Sequence, residues 1–216
     1  MKSVFLLGAL LLTQTPAAAP TSAPSVLPNG DFEQADPANP AKPAHWELSD
    51  GLAVAWTNAP DAAHGKAIRM NTALSEQDAV ASNAKAGLTK WVFPNPATTA
   101  IGESYGLSLY SEPQPVKPDT TYKVTFEFKS DQGTAGKLWF RGYGIVDGKE
   151  KRLYEGTVDC GGTANWQTFT GTFHPTRYTP NVTEWKVMLY AIFPDGVAWW
   201  DNVRVEEVPG DDDSNE

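Results

Sequence analysis

Apolar and polar residues alternate strictly along Tyr122–Lys129, where every second residue is a bulky apolar one. This period of two places one face of a strand in a core and the other in water. Trp185–Phe193 carries a similar pattern, with Lys186, Met188 and Tyr190 on its non-core face. Shorter runs predict five further strands, at Ala53–Trp56, Ala67–Met70, Tyr105–Tyr110, Leu138–Ile145 and Trp166–Phe173.

The segment Thr72–Ala100 breaks this pattern. It is Ala-rich and polar at first, and Trp91 and Phe93 then precede a Pro-Asn-Pro breaker. We expect a long, partly helical loop laid over the strands. The remaining composition, with eight Trp, seven Tyr and nine Phe between many Gly and Pro residues, favours an all-β fold.

The first residues have the pattern of a secretory signal, with Lys2, an apolar run over Val4–Leu12 and small residues at Ala17–Ala19. That run is too short for a membrane span. The predicted organisation is a signal peptide over residues 1–23 with an unassigned cleavage bond, one domain over 25–208 and an acidic disordered tail over 209–216. We therefore expect a secreted or periplasmic protein without membrane insertion.

The formal net charge of −9 argues against nucleic acid, anionic membranes and strongly anionic polymers as partners. Cys160 is the only cysteine, so no internal disulfide forms. Its neighbours include no basic residue, and we interpret it as an ordinary, partly buried thiol.

Acidic side chains stand in short segments at the two ends of the predicted domain, Leu27–Glu33 and Ala198–Val205. If these segments pair, Asp31, Glu33 and Asp201 approach one another. Ca²⁺ takes six to eight oxygen ligands, usually a few carboxylates completed by carbonyls. The alternative is that both Asp residues cap turns and Glu33 is solvated, and spacing alone favours that alternative.

The strand Leu138–Ile145 combines aromatic and cationic residues. With Leu138 and Phe140 towards the core, Trp139, Arg141 and Tyr143 line the opposite face. Aromatic rings stack on the flat C–H faces of sugars, and the Arg fork binds hydroxyls. The other side chains expected on this face are Tyr110, Glu127 and Tyr190. The alternative is that the loop covers both aromatics and that Arg141 is a structural hydrogen-bonder.

No catalytic pattern is present in the sequence. A glycosidase needs two carboxylates at a fixed separation, and Glu103, Glu127, Glu150 and Glu155 form no paired signature on one strand. Nucleophile elbows and phosphate loops are also absent from the sequence. We therefore expect a protein that is not an enzyme.

Several local motifs occur in a specific order. They are Asn29–Glu33 followed by Trp46, Asp61–Ala67 leading into Ile68–Met70, Tyr122–Phe126 after a Pro-Asp-Thr turn, Trp166 before Phe169–Phe173, and Trp200–Val203. In this order and spacing they resemble the jelly-roll carbohydrate-binding modules of the CenC-like group, with a galactose-binding-domain-like β-sandwich. The resemblance covers about Ser25 to Val208.

The resemblance implies an antiparallel two-sheet jelly-roll β-sandwich with a structural Ca²⁺. It implies Glu33 and Asp201 as metal ligands, with Asp31 giving its carbonyl, and so favours the metal site over the turn-capping alternative. It also implies that the turn at His64–Lys66 is structural. In such modules the sugar site usually lies on the concave sheet face or at loop tips, and the face with Trp139 and Arg141 is our candidate for it.

The predicted function is that of a secreted, monomeric, non-catalytic protein that binds neutral polysaccharide or oligosaccharide by aromatic stacking and polar contacts. Neutral glycans are favoured because an acidic protein repels anionic ones. A structural or adhesion module that binds a protein partner at the cell surface is the alternative. A glycan-active jelly-roll enzyme is the third hypothesis.

Overall fold

The computed structural model describes residues 23–49, 53–75, 106–131, 133–192 and 194–208, together with the single residues 77, 81 and 84. These described residues contain ten strands: β1 Val54–Asn58, β2 Lys66–Asn71, β3 Leu107–Tyr110, β4 Gln114–Pro115, β5 Thr121–Ser130, β6 Ala135–Val146, β7 Lys149–Cys160, β8 Gln167–Phe173, β9 Glu184–Ile192 and β10 Val197–Val208. Each of the strands predicted from the alternation lies within or overlaps one of these elements.

The strands form two antiparallel sheets. The first sheet has the order β1-β2-β10-β5-β8, and the second has the order β3-β9-β6-β7, with the short β4 also paired to β9. Apolar side chains from both sheets meet in one core between them. This confirms the predicted all-β class, an antiparallel two-sheet jelly-roll β-sandwich.

Aromatic side chains dominate the core. On the first sheet the ring of Trp200 lies 4.6 Å from that of Phe128, and on the second the ring of Phe140 lies 5.0 Å from that of Trp185. All four are at most 1% exposed. Burial of each such side chain is worth roughly 1.5–3 kcal/mol or more, so this core stabilises the domain without a disulfide.

The two ends of the domain lie side by side, as the sequence predicted. The backbone N–H of Val26 donates to the carbonyl of Val205 at 2.7 Å, and the N–H of Val203 donates to the carbonyl of Gly30 at 2.8 Å. The register of β10 on β5 shifts between Asp201 and Arg204. The N-terminal segment therefore borders β10 within this irregularity, at Val203, and just after it, at Val205.

Most of the predicted loop over residues 72–100 lies outside the described residues. All the named elements of the continuous described ranges are strands, and the single described residues 77, 81 and 84, which lie within the predicted loop, are helical. Residues 1–22 of the predicted signal and the predicted tail 209–216 also lie outside them. Among the described residues, no helix is long and apolar enough to cross a membrane.

Candidate functional site

The outward side of the second sheet carries an aromatic and cationic surface. Side chains of β6 alternate, so Trp139, Arg141 and Tyr143 point away from the core and are half-buried. Trp139 lies opposite Met188 of β9, and Met188 lies opposite Tyr110 of β3. We use the name aromatic–Arg face for the outward side chains of Tyr110, Trp139, Arg141, Tyr143, Lys186 and Tyr190.

Arg141 is the centre of this face. Its Nη1 donates a hydrogen bond to the Tyr110 hydroxyl, and its Nε lies 2.9 Å from Oε2 of Glu155 on β7. The Arg141 side chain is only 13% exposed. Nη1 of Arg152 lies 2.9 Å from the same Glu155 oxygen. The guanidinium of Arg141 on β6 is therefore held by a residue of β3 on one side of that strand and by a residue of β7 on the other.

Cations lie close to the aromatic rings of this face. Cζ of Arg141 is 5.0 Å from the ring centroid of Trp139 and 5.8 Å from that of Tyr110. Nζ of Lys186 is 4.8 Å from the ring centroid of Tyr143. Contacts within about 6 Å are attractive because the ring face is negative. The rings and cations consequently hold one another in place.

Hydrogen-bond donors are also present on the face. Burial, with a smaller contribution from Tyr110, raises the pKa of the Tyr143 phenol, while Arg141 and Arg152 lower it. The net rise keeps the phenol protonated and able to donate. The indole N–H of Trp139 is buried and has no hydrogen-bond partner among the described residues.

Tyr190 belongs to the same outward side. It lies opposite Lys137 of β6 and Ser108 of β3. Its ring covers the backbone at Gly106, where an added Cβ would come within 2.2 Å of the ring. Gly106 also has a φ of +64°, which favours glycine. The absence of a side chain at Gly106 therefore makes room for Tyr190.

The prediction that Glu127 belongs to this face is wrong. Glu127 lies on β5 of the first sheet and points away from the core on the opposite side of the sandwich. Its Oε2 accepts a hydrogen bond from Asn202 Nδ2 at 2.6 Å and lies 3.3 Å from His64 Nε2. The cause is strand order, because β5 pairs with β10 and β8 and not with β6.

Glu33 and Asp201, two of the three predicted metal ligands, face a common region with Glu127. Asp201 is 1% exposed, and burial raises its pKa to about 7, with further contributions from Glu127 and Glu33. Glu33 Oε1 accepts a hydrogen bond from the N–H of Lys66 at 2.7 Å. Three carboxyl groups therefore interact at the outer side of the first sheet.

The donor set of this region fits a hard cation only in part. Asp31 is exposed, and among the described residues no group of three or more His, Cys, Asp or Glu side chains is placed to hold one metal ion. Two carboxylates, Glu33 and Asp201, suit Ca²⁺ when carbonyl oxygens complete the shell. The metal site stays a prediction with these two side chains at its centre.

The sequence did not single out Glu155 as a partner of Arg141. In the sequence it is one of four glutamates that form no paired signature on one strand. A signal was present, because Asp147 and Gly148 form a hairpin turn with positive φ at both positions. Such a turn predicts that β7 runs back beside β6, which brings a carboxylate of β7 near Arg141.

No known protein-family model matches this chain, and no curated protein matches it either. Among solved structures, the chain is similar to an arabinose-bound α-L-arabinofuranosidase at 17% identity and a TM-score of 0.55. That similarity covers 86% of this chain and 27% of the enzyme. The chain thus spans about a quarter of the enzyme's length, and the similarity establishes a shared fold.

Two smaller proteins are matched over nearly their whole length. One is a family 11 carbohydrate-binding module of a cellulosomal cellulase of Clostridium thermocellum, at 10% identity and a TM-score of 0.48, covering 88% of this chain and 97% of the module. The other is a putative sugar binding protein from Bacteroides thetaiotaomicron, at 13% identity and a TM-score of 0.48, with 85% of this chain and 100% of that protein covered.

Proposed function

We propose that this chain is a secreted or periplasmic, non-catalytic protein that binds neutral polysaccharide or oligosaccharide on the aromatic–Arg face. The observation that carries the proposal is the position of Arg141, held between Glu155 and the Tyr110 hydroxyl and next to the ring of Trp139. An ordered guanidinium flanked by aromatic rings offers both apolar surface and directed donors. Sugars need both.

The polar groups of the face suit hydroxyl-rich ligands. The Tyr143 phenol adds a donor beside the Arg fork. Neutral glycans are favoured because the whole chain carries a net charge of −9.

The environment of Glu155 supports a binding role over hydrolysis. Glu155 lies on the aromatic–Arg side of the sheet, and both Arg141 and Arg152 contact its Oε2. This carboxylate oxygen is therefore occupied by two guanidinium groups and is not open to a glycosidic bond. The similar arabinofuranosidase is an enzyme, but this chain spans only 27% of its length.

A structural Ca²⁺ at the opposite sheet forms the second part of the proposal. Glu33 and Asp201 would hold it, with backbone carbonyls filling the shell. Asp31 would contribute through its backbone carbonyl. When bound, the ion would neutralise the carboxyl groups that face one another there and stabilise the fold. It would take no part in glycan contact, because it lies on the other sheet.

Affinity electrophoresis tests the glycan proposal. Soluble β-glucan, xylan and arabinan form the panel, and the full chain is compared with Trp139→Ala and Tyr143→Ala. We expect retardation of the wild type by at least one glycan and a loss of about tenfold or more in affinity for each variant. Tyr178→Ala is the matched control, because Tyr178 lies outside the face on a loop and is 87% exposed.

The control should be retarded as strongly as the wild type. Absence of retardation on every glycan of the panel would overturn the proposal. Equal retardation of the wild type and both face variants would show that the site lies elsewhere. Thermal melting of each variant confirms that a loss of binding is not a loss of folding.

A further inference from the structure

We propose that Glu155 is a positioning residue of the glycan site, which fixes Arg141 so that its free N–H groups recognise two neighbouring hydroxyls of one sugar ring. This inference rests on the proposed function. It adds a residue that the sequence placed in no binding site, and it assigns that residue a role exerted through another side chain.

The first step of the argument is burial. The Arg141 side chain is 13% exposed and that of Glu155 is 30% exposed. Ion pairs at this depth are screened less than the more exposed pairs between β6 and β7. One such pair, Lys137 with Asp159, has side chains that are 40% and 70% exposed. The contact with Glu155 therefore orders Arg141 more strongly than a surface pair orders its partners.

The second step is the register of the hairpin. Val146 lies opposite Lys149, and this regular pairing continues to Tyr143 opposite Arg152. The register then shifts by one residue between Gly142 and Tyr143, so that Arg141 lies opposite Glu155. Without this bulge, Arg141 would pair with Tyr154. A bulge of this kind redirects side chains, and here it brings the carboxylate to the guanidinium.

The third step is the geometry that results. Arg carries five N–H donors in a rigid fork. One of these is directed to the Tyr110 hydroxyl, whereas Nε lies 2.9 Å from Oε2 of Glu155 in an ion pair and its N–H has no hydrogen-bond partner among the described residues. Up to three N–H groups remain, and their planar arrangement suits two adjacent oxygen acceptors. Neighbouring hydroxyls on a sugar ring provide such a pair.

The fourth step concerns the loss of the carboxylate. Oε2 of Glu155 lies 2.9 Å from both Arg141 and Arg152. Without its charge, two guanidinium groups would stand close together with no anion between them, and like charges repel. Arg141 would then leave its place beside Trp139 and Tyr110. The N–H donors of Arg141 would still be present, but they would no longer point in a fixed direction towards the sugar.

A double-mutant cycle tests the inference. Glu155→Gln, Arg141→Gln and the double variant are titrated with whichever of β-glucan, xylan and arabinan binds the wild type most tightly. We expect Glu155→Gln to lose about fivefold in affinity. In the Arg141→Gln background the same change should cause no further loss, because its effect is transmitted through Arg141. Asp159→Asn on the same strand is the matched control and should bind like the wild type.

The outcomes separate the two proposals. Wild-type affinity in Glu155→Gln, or an equal loss in both backgrounds, would overturn the positioning role and leave glycan binding intact. A wild type that binds none of the three glycans would overturn both. A general folding defect would lower the melting temperature and would act in either background, whereas a positioning effect disappears once Arg141 is gone.

Discussion

Asp201 of β10 lies directly opposite Glu127 of β5, and both carboxyl groups point to the outer side of the first sheet. Like charges in directly opposed positions destabilise a sheet. Asp201 is also buried, which together with Glu127 and Glu33 raises its pKa to about 7. His64, which contacts Glu127, lowers that pKa, so it offsets part of the repulsion. A bound divalent cation would offset the remainder.

We predict that Ca²⁺ raises the melting temperature of the protein and that EDTA lowers it. A ligand that binds only the folded state stabilises it by about 2.7 kcal/mol at a hundredfold excess over its Kd. For a domain of this size, such a gain corresponds to roughly 5–10 °C. Calorimetric melting in 1 mM CaCl₂ and in EDTA measures the difference.

Two variants sharpen the calcium test. Asp201→Asn should abolish the Ca²⁺-dependent shift, since it removes a buried anionic ligand. Asp31→Asn should retain the shift, because the proposed ligand there is the backbone carbonyl. A wild-type midpoint that is the same in calcium and in chelator would contradict the metal proposal. Loss of the shift in Asp31→Asn would instead assign its side chain to the site.

The pattern of alternation predicted seven of the ten described strands, and β7 is one of those that it missed. The start of β7 is Lys149-Glu150-Lys151-Arg152, which contains no apolar residue at any alternate position. It is an edge strand, and charged residues on edges prevent pairing with other molecules. Its existence therefore depends on the Asp147–Gly148 turn and on pairing with β6. Alternation cannot detect such a strand.

The candidate site likewise contains residues whose positions local patterns predict and residues whose positions they do not predict. The outward direction of Trp139, Arg141 and Tyr143 follows from local alternation, and the structure confirms it. The position of Glu127 depends on which sheet β5 joins, and that is a matter of long-range pairing. Glu155 depends additionally on a one-residue bulge. Local patterns indicate which side of a strand a residue occupies, whereas strand order decides its neighbours.

Gly30 lies against the backbone of β10, and its replacement by alanine should destabilise the domain. A Cβ at Gly30 would lie 1.8 Å from the carbonyl oxygen of Val203. That backbone cannot move without loss of the hydrogen bond from Val203 N–H to the Gly30 carbonyl. We expect a loss of about 1–3 kcal/mol in the free energy of unfolding, measured by denaturant titration.

Gly161→Ala is the control for this change. A Cβ at Gly161 meets nothing within 4 Å, and Gly161 is exposed. Its unfolding midpoint should therefore stay close to that of the wild type. An unchanged midpoint in Gly30→Ala would contradict the close contact between the two ends of the domain.

The thiol of Cys160 should be unreactive in the folded protein. Cys160 is 2% exposed, and burial raises the pKa of its thiol well above the ordinary range, with Asp159 adding to the rise. Only the thiolate attacks disulfide reagents. We expect no reaction with Ellman's reagent at pH 8 in buffer and one equivalent in guanidinium chloride. Rapid reaction of the folded protein would show that the thiol is accessible.

Asp61 connects the β1–β2 turn to the residue that precedes β8, and its contribution to stability should depend on pH. Its Oδ1 lies 2.7 Å from Nδ1 of His64, and its Oδ2 accepts a hydrogen bond from the indole N–H of Trp166 at 2.6 Å. The His64 ring also stacks on Trp166 at 4.1 Å and faces Glu127 through Nε2. The hydrogen bond with His64, followed by that with Trp166, lowers the pKa of Asp61.

A depressed pKa in the folded state means that this carboxylate stabilises the fold when it is ionised. The contribution is fully present above the unfolded value of about 3.9 and is lost as the pH falls through the folded pKa. Asp61→Asn should therefore have a lower melting temperature than the wild type at pH 7. The difference between the two melting temperatures should narrow as the pH falls from 4 to 3. Melting of both proteins over pH 3–7 checks this. A difference in melting temperature that is the same at every pH would show that Asp61 stabilises the fold by packing and not by its charge.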